Sequence, residues 1–245
     1  MIDLYFYFTA AIGVIFFGIS KGGFAGPASI LAIPVMALSM SPITAAGILL
    51  PILLIMDFLA IYFYWNKWDL NNVYIILPPA ILGIFIGGLT FQYISADSIR
   101  IIVGIICILF VFLTIFKKNN YIFKPTKFKG RIWSLISGYT STIIHAGGQP
   151  LSFFLLPQKL NKTVYVGTMT LTFLFVNLIK LIPYYFLDLL IIANLKVSLI
   201  LSPLAPLSIY IGYYLHKKFN EEVFYFIIYF LLGISGIKLI YEGIF

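Results

Sequence analysis

The chain has 245 residues, 62% of them hydrophobic and only 10% charged, with a formal net charge of +8. A soluble domain carries about a quarter charged residues, so a mean hydropathy of +1.05 excludes one and points to an integral membrane protein. The positive charge would suit a nucleic-acid partner in a soluble protein; here most Lys and Arg fall in short loops, as membrane topology requires, and nucleic acid is set aside.

The first residues, MIDLYFYFTAAIGVIFFGIS, carry an acid in place of a basic n-region and no small-residue cleavage site, so they read as mature protein. Residues 4–40 form two apolar pieces, about 4–19 and 24–40, broken at Gly22-Gly23 in "GISKGGFAGP". Each falls short of the roughly 20 residues of a comfortable span. Runs of spanning length follow at about 44–65, 73–94 and 99–116. Cys107, the single cysteine, lies in the third run without a partner, which excludes an internal disulfide and a cysteine metal cluster. The stretch "KKNNYIFKPTKFKGR", 117–131, then brings six basic residues and no acid, and the positive-inside bias makes it cytoplasmic. A second broken pair, 132–145 and 147–158, precedes runs at about 164–187, 194–215 and 223–242.

The halves resemble each other when slid by about 123 residues: Pro27 falls on Pro150, Pro34 on Pro157 and Asp57 on Lys180. Slightly larger offsets bring Pro79 onto Pro203, Gly88 onto Gly212, and Gly22-Gly23 onto Gly147-Gly148. This ordered series suggests an internal repeat, with an N-terminal unit 1–116, the basic loop 117–131 and a C-terminal unit 132–245. If each broken pair is a re-entrant hairpin, the halves are inverted, and eleven basic residues lie inside against Arg100, Lys196 and Lys238 outside. If each pair is a single broken span, the halves are parallel and the count is nine inside to five outside. The stronger bias favours inversion. The expected fold is therefore an all-α polytopic membrane protein of two pseudo-symmetric, inverted repeats, each a glycine-broken re-entrant hairpin plus three transmembrane helices.

Irregular backbone at membrane depth is tolerated only where it is buried in protein or lines a wet cavity, so the two hairpin tips are expected to face one. Glycines admit a ligand close to the backbone. A second arm starting after each glycine pair would turn its free N–H groups and positive dipole end into that cavity. Two helix N-termini beside Lys21 make an anion site.

The segments "SKGGFAGPASILAIPVM", "SPITAAGILLPILLIMD", "HAGGQPLSFFLLP" and "FLFVNLIKLIPYYF" resemble the TauE/SafE family of bacterial membrane proteins. The resemblance covers nearly the whole chain, and the glycine-rich segment with its lysine is its most specific part. It implies an exporter of sulfur oxyanions or organosulfonates in the bacterial inner membrane, with a small anion as substrate, the bilayer as surroundings and no cofactor or metal; it leaves a homodimer open. The second glycine segment lacks the lysine of the first, so the site is asymmetric, with His145 or a bare helix end opposite Lys21.

The candidate binding residues are Lys21, Gly22, Gly23, Gly26, His145, Gly147, Gly148, Gln149, Asn177, Lys180 and Asp57. Each has a plainer reading. Lys21 can snorkel to an interface, and His145 can be a hydrogen-bonded packing histidine. Asp57 and Lys180, equivalent by the repeat, can form a buried ion pair that fixes helix register. Asn177, one turn before Lys180, makes a polar stripe with it or holds neighbouring helices together, and Pro183 is expected to kink that helix. "GIFIGG", 83–88, and Ser208 with Gly212 are small-residue patterns assigned to close helix packing. Catalysis is not expected: HExxH, GxSxG and paired aspartates within spans are absent, and the only histidines are 71 residues apart. A carrier or channel for another small anion, such as a carboxylate, is the alternative.

The charge count carries a test. Cysteine labelling from outside should reach both chain ends and spare the 117–131 loop; labelling of the loop but neither end overturns this orientation.

Overall fold

In hydrocarbon every backbone N–H and C=O must find a partner within the chain, and a helix provides that locally. The computed structural model describes residues 4–25, 29, 32–93, 95–116 and 125–244, and every regular element among them is helical. In chain order they are α1 (Leu4–Gly23), α2 (Ala32–Ala37), α3 (Pro42–Phe63), α4 (Leu70–Thr90), α5 (Ala96–Phe116), α6 (Lys127–Ile144), α7 (Gly148–Leu155), a 3-10 turn (Leu156–Gln158), α8 (Lys162–Phe186), α9 (Ile192–Leu201), α10 (Leu204–Lys218) and α11 (Glu221–Ile244). Among the described residues five helices, α1, α3, α4, α8 and α11, are long and apolar enough to cross a membrane. A sixth crossing follows if α9 and α10, bent by 51° at Ser202-Pro203, count as one.

The starts of these helices are written locally. Ser41, Asp69, Thr126 and Asn161 stand just before α3, α4, α6 and α8, and each side chain accepts a first-turn N–H, from Thr44, Asn72, Lys129 and Thr163 respectively. Such caps satisfy donors that have no partner inside the helix.

Two expectations about boundaries change. Gly22 and Gly23 are not the gap after the first helix but the last residues of a continuous α1, 20 residues long. The basic stretch is partly helical, since α6 begins at Lys127. The second arm, expected over 24–40, lies partly outside the described residues, which place α2 over six of its positions. Pro183 lies inside α8, which continues to Phe186. Gly26 lies outside the described residues.

Packing exchanges elements between the halves of the chain. Helix α1 packs along α10 and α4 along α6, so the first long helix of each half lies on a later helix of the other half. The third elements, α3 and α8, meet in the middle, and α5 pairs with α11 at the side. One apolar core accordingly joins Val14, Met36 and Leu49 to Val197 and Ile209; another joins Ile76 and Ile84 to Ile144, Leu151 and Val176. Aromatic and aliphatic side chains such as Phe226, Phe230, Tyr185 and Leu199 point outward, as a lipid-facing surface requires.

The expected small-residue contacts make these crossings close. A Cβ on Gly22 would come within 2.4 Å of the Ile209 carbonyl oxygen, one on Gly23 within 2.3 Å of that of Gly212, and one on Gly212 within 2.4 Å of that of Ile19. On the other side Gly83 and Gly138 interlock α4 and α6, with Cβ positions 2.1 Å from the Leu135 oxygen and 2.0 Å from the Ala80 oxygen. Backbone meets backbone here, so no side-chain rotation relieves a methyl group.

Gly212→Val is therefore expected to destabilise the protein as much as Gly22→Val, by about 1–3 kcal/mol or more for forced overpacking, although it lies on a different helix. Thermal unfolding of the purified protein checks this; a Gly212→Val variant as stable as the parent overturns the contact.

Candidate functional site

The two helix breaks meet in the interior. Ala25, two residues past α1, and His145, the C-cap of α6, both lie in the left-handed region at φ 58° and 52°. A stop of this kind is usually glycine or asparagine. Each break then receives side-chain donors. The Tyr64 hydroxyl donates to the Gly22 carbonyl at 2.7 Å, and the Gly23 carbonyl accepts from His216 Nδ1 at 3.2 Å. At the other break Tyr184 donates to the Thr142 carbonyl at 2.9 Å and Lys180 Nζ to the Ser141 carbonyl at 3.1 Å.

Lys21, only 7% exposed, forms an ion pair with Asp57 Oδ1 at 2.6 Å and donates to the Leu53 carbonyl at 3.3 Å. The second carboxylate oxygen of Asp57 accepts from Asn177 Nδ2 at 2.7 Å. Asp57 and Lys180 are both completely buried, but the ion partner of Asp57 is Lys21 and not Lys180 as the repeat suggested. The reason is positional: Asn177, a turn before Lys180, takes the place facing the carboxylate, while Lys180 reaches the end of α6. There its ammonium finds an acceptor for each of its N–H groups, in the Ser141 carbonyl, Ser141 Oγ at 3.3 Å and His145 Nδ1 at 3.1 Å.

This bonding assigns the histidine. Nδ1 accepts from Lys180, so Nε2 carries the proton and donates to the Tyr184 oxygen at 3.0 Å, whose own proton goes to Thr142. His145 is thereby a neutral link between a cation and a tyrosine. Phe17 of α1 sits edge-on to its ring, with centroids 6.4 Å apart.

A cavity of about 30 Å³ lies against these groups. Its polar wall is Lys21, Ser29, Ser141, His145, Thr170 and Asn177; Phe17, Leu53, Met169 and Phe173 close the apolar side. Of the candidates named from sequence, Lys21, His145, Gly148 and Asn177 line it. Asp57 and Lys180 stand one bond behind, through Lys21 and Asn177 on one side and through His145 and Ser141 on the other. Gly22 and Gly23 are elsewhere, against α10, so the bulk of a valine there acts on helix packing and not by filling the site. Gly147 caps α7 and packs on α6, where Ser137 donates to its carbonyl at 2.7 Å, and Gln149 is fully buried off the cavity wall. Ser141, Tyr184 and Ser29 were missed. The hydroxyl run Thr140-Ser141-Thr142 just before His145 was the available signal for the first of them, since such residues are costly in an apolar arm without a task.

Comparison with known proteins bears on what this site serves. A family model described as sulfite exporter TauE/SafE matches residues 10–239. The chain belongs to that family. No curated protein and no solved structure matches it. TauE/SafE membership makes this a membrane transporter of the sulfite or anion type, and the multiple apolar helices agree with a multi-pass protein.

Removing one member of the Lys21–Asp57 pair leaves the other charge buried and unmatched. Asp57→Leu or Lys21→Leu alone should cost about 3–5 kcal/mol, and the double change clearly less than their sum. An unfolding double-mutant cycle measures this coupling, which should exceed that for Asp57 with Lys180; additivity of Lys21 and Asp57 overturns the pair.

Proposed function

We propose that the protein carries a small sulfur oxyanion, sulfite being the fitting case, across the bacterial inner membrane, and that the ion rests in the cavity between the two helix breaks. The observation that carries this reading is the convergence of Lys21, Ser141, His145, Asn177 and the first residue of α7 on one cavity in a chain with several helices long and apolar enough to cross a membrane. An oxyanion moving into a bilayer loses hydration worth several kcal/mol or more, and fixed donors must replace it. Gly148 opens a helix whose N-cap, Gly147, supplies no side-chain hydrogen bond, so the positive end of α7 adds to the lysine field.

Size supports the choice within the family's range. One water needs about 10–15 Å³, so a cavity of about 30 Å³ suits a compact oxyanion better than a sulfonate with a long organic chain. We also propose that the halves are inverted repeats, supported by the exchange-symmetric packing of α1 on α10 and α4 on α6 and by the charge count of the loops.

The test is uptake of labelled sulfite into proteoliposomes together with binding to the purified protein. Flux should saturate; linear flux favours a channel, and no flux with sulfite but saturable flux with a small carboxylate favours the alternative substrate. Lys21→Gln keeps a donor for Asp57 and should remain folded while sulfite affinity falls by about tenfold or more. Lys21→Arg should restore part of it, because a planar fork replaces a compact ammonium. Normal affinity in Lys21→Gln removes Lys21 from the site.

A further inference from the structure

The charges around the cavity do not cancel. Lys21 and Asp57 neutralise each other at 2.6 Å, and His145 is neutral because it accepts from Lys180 and donates to Tyr184. Lys180 is fully buried, bonded to Ser141 and His145, and has no carboxylate at ion-pair distance among the described residues. The two groups that Lys180 touches, Ser141 and His145, are themselves cavity wall. One positive charge is thus left over directly behind the site, softened only by the C-terminal end of α6 that it caps.

We infer that this site selects monoanions over dianions, and that Asp57 sets the selection by cancelling Lys21. The inference rests on the anion-site reading above and adds to it the charge of the species held. In a low-dielectric setting the stable occupied state is the one in which the guest completes neutrality, and a single surplus cation is matched by a single negative charge. Of the two protonation states of sulfite, the hydrogensulfite monoanion is then the one held. Without Asp57 the wall would carry two surplus cations, Lys21 and Lys180, and would match a dianion.

Methanesulfonate and sulfate are nearly isosteric and differ by one charge, which makes them the probes. Both are titrated onto the full-length purified protein at one fixed pH near neutrality. The parent chain should bind methanesulfonate at least about tenfold more tightly than sulfate. A dianion loses more hydration in any buried site, so the decisive reading is the shift in that ratio. Asp57→Asn, which keeps an acceptor for Lys21 and offers its amide N–H to Asn177 Oδ1 once that amide turns, should move the ratio toward sulfate by about tenfold or more. Lys21→Gln with Asp57→Asn leaves one surplus cation again and should return the parent's preference, at lower affinity for both. Lys180→Gln removes the surplus and should lose both anions. Should Asp57→Asn fail to fold, Asn177→Lys raises the charge of the wall by one while still donating to Asp57, and should shift the ratio in the same direction. A parent that prefers sulfate, or a ratio unmoved in whichever charge-raising variant folds, overturns the inference while leaving the anion site standing. Binding of neither probe nor sulfite to the folded parent overturns both.

Discussion

A helix that stops inside the protein leaves carbonyl oxygens without partners of its own, and satisfying those oxygens organises the rest of this structure. At the end of α1 the donors come from Tyr64 on the far end of α3 and from His216 on α10; at the end of α6 they come from Lys180 and Tyr184 on α8. In each half a tyrosine, Tyr64 just after α3 and Tyr184 on α8, reaches the helix end of that half. Two long helices can therefore end in the interior, and once they do, the chain must turn there, which opens a space lined by polar groups from both halves.

The same requirement explains how two lysines are tolerated in so apolar a chain. A buried ammonium is costly unless paired and hydrogen-bonded, and the two are handled differently. Lys21 is held by a carboxylate that a second donor, Asn177, also fixes, so its direction is set from two helices at once. Lys180 has no carboxylate among its bonded partners and is held by the negative end of a helix, by a hydroxyl and by a histidine nitrogen, with the Tyr184 ring 5.5 Å away. The first arrangement gives position without net charge; the second gives charge.

Much of this was legible in the sequence, and the boundary of what was legible has physical causes. The apolar runs gave α3, α4, α8 and α11 to within a few residues because hydrocarbon thickness fixes their length, whereas the run at 194–215 is two helices bent by 51° and α1 has spanning length where a short arm over 4–19 was expected. The buried lysines, the aspartate, His145 and Asn177 stood out because ionisable and amide groups in such runs need a reason. Two things could not be read. Glycine has no side chain to show its direction, so Gly22 and Gly23 looked like a ligand cradle when their missing Cβ atoms admit α10. Pairing across the chain was equally hidden: the offset between the halves sets Asp57 beside Lys180 in register, but register does not say which charge each one meets, and packing between the halves decides that only in three dimensions.

The repeat itself contains the final step. In each half, a residue at the helix break bonds to a residue of the third element: Lys21 to Asp57 at 2.6 Å in the first, His145 to Lys180 at 3.1 Å in the second. The geometry is shared and the charges are not. Two copies of the first pair would leave the cavity neutral, with nothing to replace the hydration that an anion gives up. Two copies of the second would leave two surplus ammonium groups repelling each other across the cavity, at a Coulombic cost that no carboxylate offsets. One of each places a single positive charge beside the cavity and fixes the lysine that lines it, so on the anion-site reading proposed above the asymmetry of "SKGGFAGP" against "HAGGQP" supplies the net charge that the site needs.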